Sequence, residues 1–304
     1  MTSRTLRRVC VSVVTMAALS SVAACGGSDG ASGSGGKNGD KSPAAAAAAV
    51  SPIAALKKVQ QKSGGAESAK IESTVEMGTT MSMTMTGSMD WSDGITGDVT
   101  IKYTGGTMAE AMKQMSPDGT MRTVYLKDAY FANMGDGFAE AIGGKHWIRY
   151  GYEDLASIAG ASGEVLKDQM QGSTPEKSVE SLLASGTIKK IGEENVRGVA
   201  TTHYSGTVDV AALSEKTAGL DAAQLEEFKE QLDKTGITKE TVDLWVDEND
   251  LLIKQTSSAD SANGAVNSTS FFSDYGSAVS VAQPPAGDTV DFKEIAGQAS
   301  KAAS

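Results

Sequence analysis

The side chains of this 304-residue chain with catalytic or ligating potential are two histidines, two cysteines and a scatter of acidic turns. His146 and His203 both fall in strand-like segments. Nucleophilic catalysis needs a histidine within reach of a Ser or Cys and an acid. From Ser51 onward there is no G-x-S-x-G elbow to supply that nucleophile. Zinc requires three or four ligands, and no two His or Cys lie near one another in sequence. His203, in Thr-Thr-His-Tyr, therefore reads as a strand residue with a hydrogen-bond partner. Asp247-Glu248-Asn249-Asp250 has the acidity of a calcium loop but lacks its central glycine and closing glutamate, so it reads as a hairpin turn. The chain is expected not to be an enzyme and to need no cofactor or metal.

The chemistry that remains sits at Cys25. Arg4, Arg7 and Arg8 precede an apolar stretch, Val9 to Leu19, too short to span a bilayer. Val22-Ala23-Ala24 then leads into Cys25-Gly26. This segment resembles the lipobox of bacterial lipoproteins. The resemblance implies cleavage before Cys25, diacylglycerol on its sulfur and an acyl group on the new amino terminus. Residues 1–24 are then a signal peptide, with Sec and twin-arginine export both open. The product is anchored to the cell membrane on its extracytoplasmic face. Cys10 leaves with the leader, so no internal disulfide is possible, and the remaining length can bury a core without one. Residues 26–49 hold Gly, Ser and Ala with no large apolar residue, so 25–50 reads as a lipidated flexible tether. Its typical reach is roughly 25–30 Å.

Charge narrows the partners. The chain has 27 basic and 38 acidic residues, a net charge of −11. Losing Arg4, Arg7 and Arg8 takes this to −14. That excludes nucleic acid and broad adsorption to anionic lipid.

The most distinctive stretch is Met77 to Trp91, MGTTMSMTMTGSMDW. Met77, Met81, Met83, Met85, Met89 and Trp91 alternate with small polar residues, the period of a strand with one covered face. It reads as one long strand. Methionine gives an adaptable, polarizable surface, which suits either ordinary core or the wall of a ligand cavity. Met108, Met112 and Met115 recur at helical spacing shortly afterwards. Nine of the thirteen methionines lie between Met77 and Met121.

The elements that must position this surface follow from local signals. Ser51 caps and Pro52 starts a helix whose face is Ile53, Leu56 and Val59. Strands are expected over Lys70–Met77, Asp98–Thr104, Thr120–Leu126, Ala129–Met134 and Gly144–Tyr150. A mostly helical stretch, Tyr152–Ala184, follows, with Thr174-Pro175 starting one helix. Strands return over Thr187–Glu193, Val199–Val208, Glu240–Val246, Leu251–Ser257 and Val266–Tyr275, and an acidic helix covers Asp221–Lys234. Residues 288–304 are mixed in character with a helical option. This order suggests one α+β domain, residues 51–304: a large antiparallel sheet with helices on its concave side.

Four segments in this order carry a further resemblance: Gly144-Lys145-His146-Trp147; Val196-Arg197-Gly198 through Thr201 to His203-Tyr204; Val242-Asp243-Leu244-Trp245-Val246; and Phe272-Ser273-Asp274-Tyr275-Gly276. Together, over about residues 51–290, they resemble actinobacterial LppX/LprG-type lipoproteins, whose fold is similar to the carrier LolA and its receptor LolB. The resemblance implies an unclosed β-barrel wrapped over helices, with an apolar cavity for acyl chains. It also implies an acyl lipid or glycolipid as ligand and a membrane transporter as a partner. On that reading the ligand lies against Met81, Met83, Met85, Met89, Val99, Ile101, Met108 and Met112. The rival expectation is an envelope interaction or sensor lipoprotein without lipid cargo.

Overall fold

The computed structural model describes residues 51–159, 174–210, 226, 230 and 233–302. Cys25, the leader, the tether and most of the helix expected over Asp221–Lys234 lie outside the described residues.

Local chemistry starts two helices where expected. In α1 (Pro52–Gly65) the Ser51 hydroxyl accepts from the amide of Ala54 at 3.2 Å, and Pro52 occupies the first turn. Thr174 caps α5 (Pro175–Ser185) in the same way, and Gly186 closes it in the left-handed region. Between them come α2 (Gly106–Met115), α3 (Asp136–Ala141) and α4 (Tyr152–Ala159). A last helix, α6 (Phe292–Ala302), confirms the helical option for the tail. No helix among the described residues is long and apolar enough to cross a membrane.

Twelve strands form one unclosed sheet. In chain order they are β1 (Ser68–Met77), β2 (Met81–Asp90), β3 (Thr96–Gly105), β4 (Thr120–Tyr125), β5 (Ala129–Asn133), β6 (Trp147–Gly151), β7 (Lys189–Val196), β8 (Val199–Asp209), β9 (Lys239–Asp247), β10 (Leu252–Ser261), β11 (Gly264–Ser273) and β12 (Thr289–Asp291). Their order across the sheet is β12-β6-β5-β4-β3-β2-β1-β11-β10-β9-β8-β7. Two meanders, β1–β6 and β7–β11, are therefore joined down the middle by β1 against β11, from Lys70 opposite Ser273 to Met77 opposite Val266.

Three expectations need correction. Met77–Trp91 is not one strand. Met77 ends β1, a turn covers residues 78–80, and β2 begins at Met81. The alternation survived the turn and hid it. The sheet is also mixed rather than wholly antiparallel, because β12 runs parallel to β6. Ile53, placed on the inner face of α1 by its spacing, is 49% exposed; of that apolar trio Leu56 and Val59 are buried.

The core has three parts. Leu56 and Val59 of α1 and Val179 and Leu182 of α5 pack with Tyr204, Val242, Leu244, Leu252 and Phe272. A second cluster gathers around Met89, Val99 and Ile101. A third, Val124, Phe131 and Trp147, is covered by Val281.

Candidate functional site

Residues directly opposite one another in an antiparallel ladder share a face. One such row runs across eight strands: Met121, Ile101, Met85, Ser73, Ser270, Gln255, Leu244 and Tyr204. Leu244 and Tyr204 in that row lie under α1 and α5, which defines the inner face. Ile71 touches both the helix-covered cluster and the methionine cluster, so the two are continuous on that face.

The structure brings Met83, Met85, Met89, Val99 and Ile101 together. It adds residues that the reading of the sequence missed: Ile71, Trp91, Ile95, Tyr103, Met121 and Tyr125. Alternation in β1, β3 and β4 carried the signal for Ile71, Tyr103, Met121 and Tyr125, and the methionine stretch carried it for Trp91; Ile95, between β2 and β3, had none, and only the register aligns the set. Gly87 and Gly97 let the strands approach: a Cβ on Gly87 would lie 2.2 Å from the Asp98 carbonyl oxygen, and one on Gly97 would lie 2.3 Å from the Met89 sulfur. Every residue of this cluster belongs to a strand or turn, and none of the described helices contributes to it. Met83, Met85, Tyr103 and Met121 are half-buried, so this part of the inner face is apolar yet incompletely covered by the described residues.

The other three candidates sit apart from that cluster. Met81 is half-buried at the start of β2, directly opposite Met77. Met112 is buried on α2, whereas Met108, on the same helix, is 43% exposed.

Between the two apolar halves runs a small polar stripe. Ser73 and Ser270 bond at 2.8 Å and Ser257 and Ser268 at 3.2 Å, so these hydroxyls satisfy each other without water.

Both histidines lie outside the apolar face, and each is engaged with carboxylates. His203 contacts Glu194 through Nδ1 at 2.9 Å and Asp243 through Nε2 at 2.8 Å. Its ring stacks on Trp245 at 4.2 Å, and the Lys254 ammonium also lies over the Trp245 ring, at 3.8 Å. Trp245 Nε1 donates to Glu194 at 2.8 Å; this bond and the His203 contact hold the Glu194 carboxyl below the usual carboxylate range. The cluster ties β7, β8, β9 and β10 together on the outer face. His146 Nδ1 lies 2.7 Å from Asp288, which raises its pKa above the ordinary imidazole value, and Asp136 is 3.4 Å from Nε2.

A recess of about 370 Å³ opens where β7, β8 and β9 turn. It is lined by Glu193, Glu194, Asp247 and Glu248 among others, which makes it acidic rather than greasy. No group of three or more metal-type side chains occurs among the described residues. Asp247 instead accepts from the amides of Asn249 and Leu251, as a turn requires.

No protein-family model matches the chain. Among solved structures the fold is similar to LprF from Mycobacterium bovis (17% identity, TM-score 0.47, 77% of this chain and 96% of that one). It is also similar to lipoprotein LppX from Mycobacterium tuberculosis (11% identity, TM-score 0.47, 76% and 98%). Two sequence relatives are much nearer. The Streptomyces griseus "Uncharacterized 31.2 kDa protein in rplA-rplJ intergenic region" is 59% identical over 247 residues, 81% of each chain. The Streptomyces coelicolor "Putative lipoprotein SCO4650" is 43% identical over 241 residues, 79% of this chain and 75% of that one. At this identity and coverage the chain belongs to the same protein family as these two Streptomyces proteins.

Proposed function

We propose that the protein is a lipoprotein, anchored through Cys25 on the extracytoplasmic face of the cell membrane, that binds or carries an acylated lipid or glycolipid. The name of the Streptomyces coelicolor relative supports the anchor, as does the lipobox-like segment ending at Cys25. The observation that carries the binding reading is the half-buried cluster of Met83, Met85, Tyr103 and Met121 around Met89, Val99 and Ile101. An acyl chain laid along it leaves water, worth about 0.8 kcal/mol per methylene. Unbranched methionines repack around chains of different length, which favours a ligand class over one molecule. Met81 at the start of β2 and Met108 and Met112 on α2 are outlying ligand candidates, apart from that cluster. The role is binding without catalysis, and delivery would be to or from a membrane transporter.

The test is mass spectrometry of an organic extract from the protein made in a native-like host, beside an unrelated secreted control. A stoichiometric acyl lipid is expected. The double substitution Met83→Asp, Met85→Asp should abolish lipid retention without altering export. Lipid retained by the folded double variant would move the binding wall elsewhere. No enriched lipid, even after incubation with envelope lipids, would make the methionine cluster ordinary core and favour an envelope interaction protein.

A further inference from the structure

Three chain segments meet at one rim of the sheet: Met77–Met81 between β1 and β2, Gly105–Ala109 at the start of α2, and Ala262–Val266 between β10 and β11. None contains a charged residue, in a chain that is 21% charged. They are locked together through the backbone. Gly78 donates to the Ala265 carbonyl at 3.0 Å, and Met108 donates to that of Thr80 at 3.1 Å. The Thr107 hydroxyl also bonds Thr80, at 3.3 Å. The contacts need glycine. Gly78 and Gly106 have φ of +48° and +79°, and a Cβ on them would meet the Asn263 and Thr80 carbonyl oxygens at 2.2 and 2.4 Å. From this rigid base Met77 and Met108 project, 38% and 43% exposed, two of the most exposed large apolar side chains described.

We propose that this rim seats the domain on a lipid bilayer surface. The occupant follows from charge and from the tether. These three segments carry no charge with which to steer toward a charged partner; Asp233 and Lys234 stand beside them, next to Thr235, whose carbonyl accepts from the Ala262 amide at 2.8 Å. Flexible methionines suit a disordered apolar interface, and the small polar residues around them suit headgroup depth. The described residues begin on this side, at Ser51. The hydrogen-bonded row just inside the rim runs Thr207, Thr241, Ser258, Asn267, Glu76 and Ser82. The α5 helix runs from Glu176, beside Gly64, to Ser185, and two residues on the Thr187 hydroxyl bonds the Thr207 carbonyl at 2.9 Å. The α1 helix packs along α5 with its end at Gly64, so its start, Ser51, points toward the row's rim. The 26 residue steps from Cys25 to Ser51 span at most about 90 Å, which leaves the rim free to reach the membrane that holds the anchor. The inference rests on the anchoring reading through that tether alone, and not on lipid cargo.

The test uses the full chain, processed by a native-like host and reconstituted into phosphatidylcholine vesicles. An environment-sensitive fluorophore is placed on Met77→Cys or Met108→Cys. Control probes go on Asp93→Cys and Glu248→Cys at the opposite rim, with the parent chain as labelling background. The Met77 and Met108 probes are expected to shift to the blue and to be quenched by brominated acyl chains several-fold more than the controls. A probe on Thr79→Cys should lose most of that quenching when Met77→Ser and Met108→Ser are added; both side chains are exposed, so folding is spared. Equal quenching at both rims, with protein on the vesicles, overturns the proposal while leaving anchoring intact. No vesicle-bound protein overturns it together with the anchor. Shielding that persists without vesicles, in a chain sedimenting as a dimer, assigns the rim to a second copy and overturns it.

Discussion

The two halves of the inner sheet face are built differently. Under α1 and α5 the face carries Leu244 and Leu252, packed with Val179 and Leu182 of α5, all four fully buried. Across the serine stripe the same face is made of Met83, Met85, Met89, Val99, Ile101 and Met121, with no described helix residue among them. Branched side chains specify one packing, whereas methionine leaves several open. The contrast separates a half that fixes the fold from a half whose surface can adapt.

The sharpest test of that contrast compares one truncation from each half. Leu244→Ala opens a cavity in a fully enclosed site and should cost about 2–5 kcal/mol in urea unfolding. Met85→Ala removes a half-buried chain and should cost only about 1 kcal/mol while weakening lipid retention; this figure scales the buried Met→Ala cost for partial exposure. Equal costs would break the comparison and make the methionine half closed core. On the outer face, Trp245→Phe removes the indole N–H donated to Glu194. The expected loss is about 1–2 kcal/mol with lipid retention unchanged, because Trp245 points away from the methionine half. A parallel loss of lipid would link the two faces.

The smallest effect concerns pH. The His146 pKa is raised first by its hydrogen bond to Asp288 and then by the nearby carboxylate charges, against some desolvation. A raised folded-state pKa contributes stability that is fully present below about 6.5, the unfolded value. It is lost as pH rises through the higher folded value. His146→Asn should therefore lower the melting temperature at pH 5.5 and change little at pH 8.5. An equal drop at both values would show that the hydrogen-bond geometry matters and the charge does not. The pair is too exposed for a large effect.

Much of this architecture is legible residue by residue. Ser51-Pro52 and Thr174-Pro175 start helices because a cap and a first-turn proline act within four residues. Asp247–Asp250 and Asn263-Gly264 turn the chain for equally local reasons. The failures are also specific. Met77, Thr79 and Met81 kept the strand period through a turn, so the hairpin at Gly78 looked like continuous strand. Three residues, Thr289–Asp291, become a strand only because the β6 edge is there to receive them. Ile53 obeyed the helical period yet stayed outside, since α5 and the sheet pack on the Ala55, Leu56 and Val59 positions of α1.

The sequence by itself determined the α+β class, the element order and the concentration of methionine on one strand. From Ser51 onward it also offers no G-x-S-x-G elbow and no closely spaced pair of His or Cys, features that depend on residue type and short spacing. Only the tertiary structure decided that Met85 faces Ile101 and Met121, that one sheet face is divided between leucine and methionine, and that three uncharged segments meet at one rim. The first rests on the β2–β3 and β3–β4 registers, and the other two on β1 pairing with β11 across nearly two hundred residues. That register is chosen by the joint burial of the whole face rather than by any stretch alone.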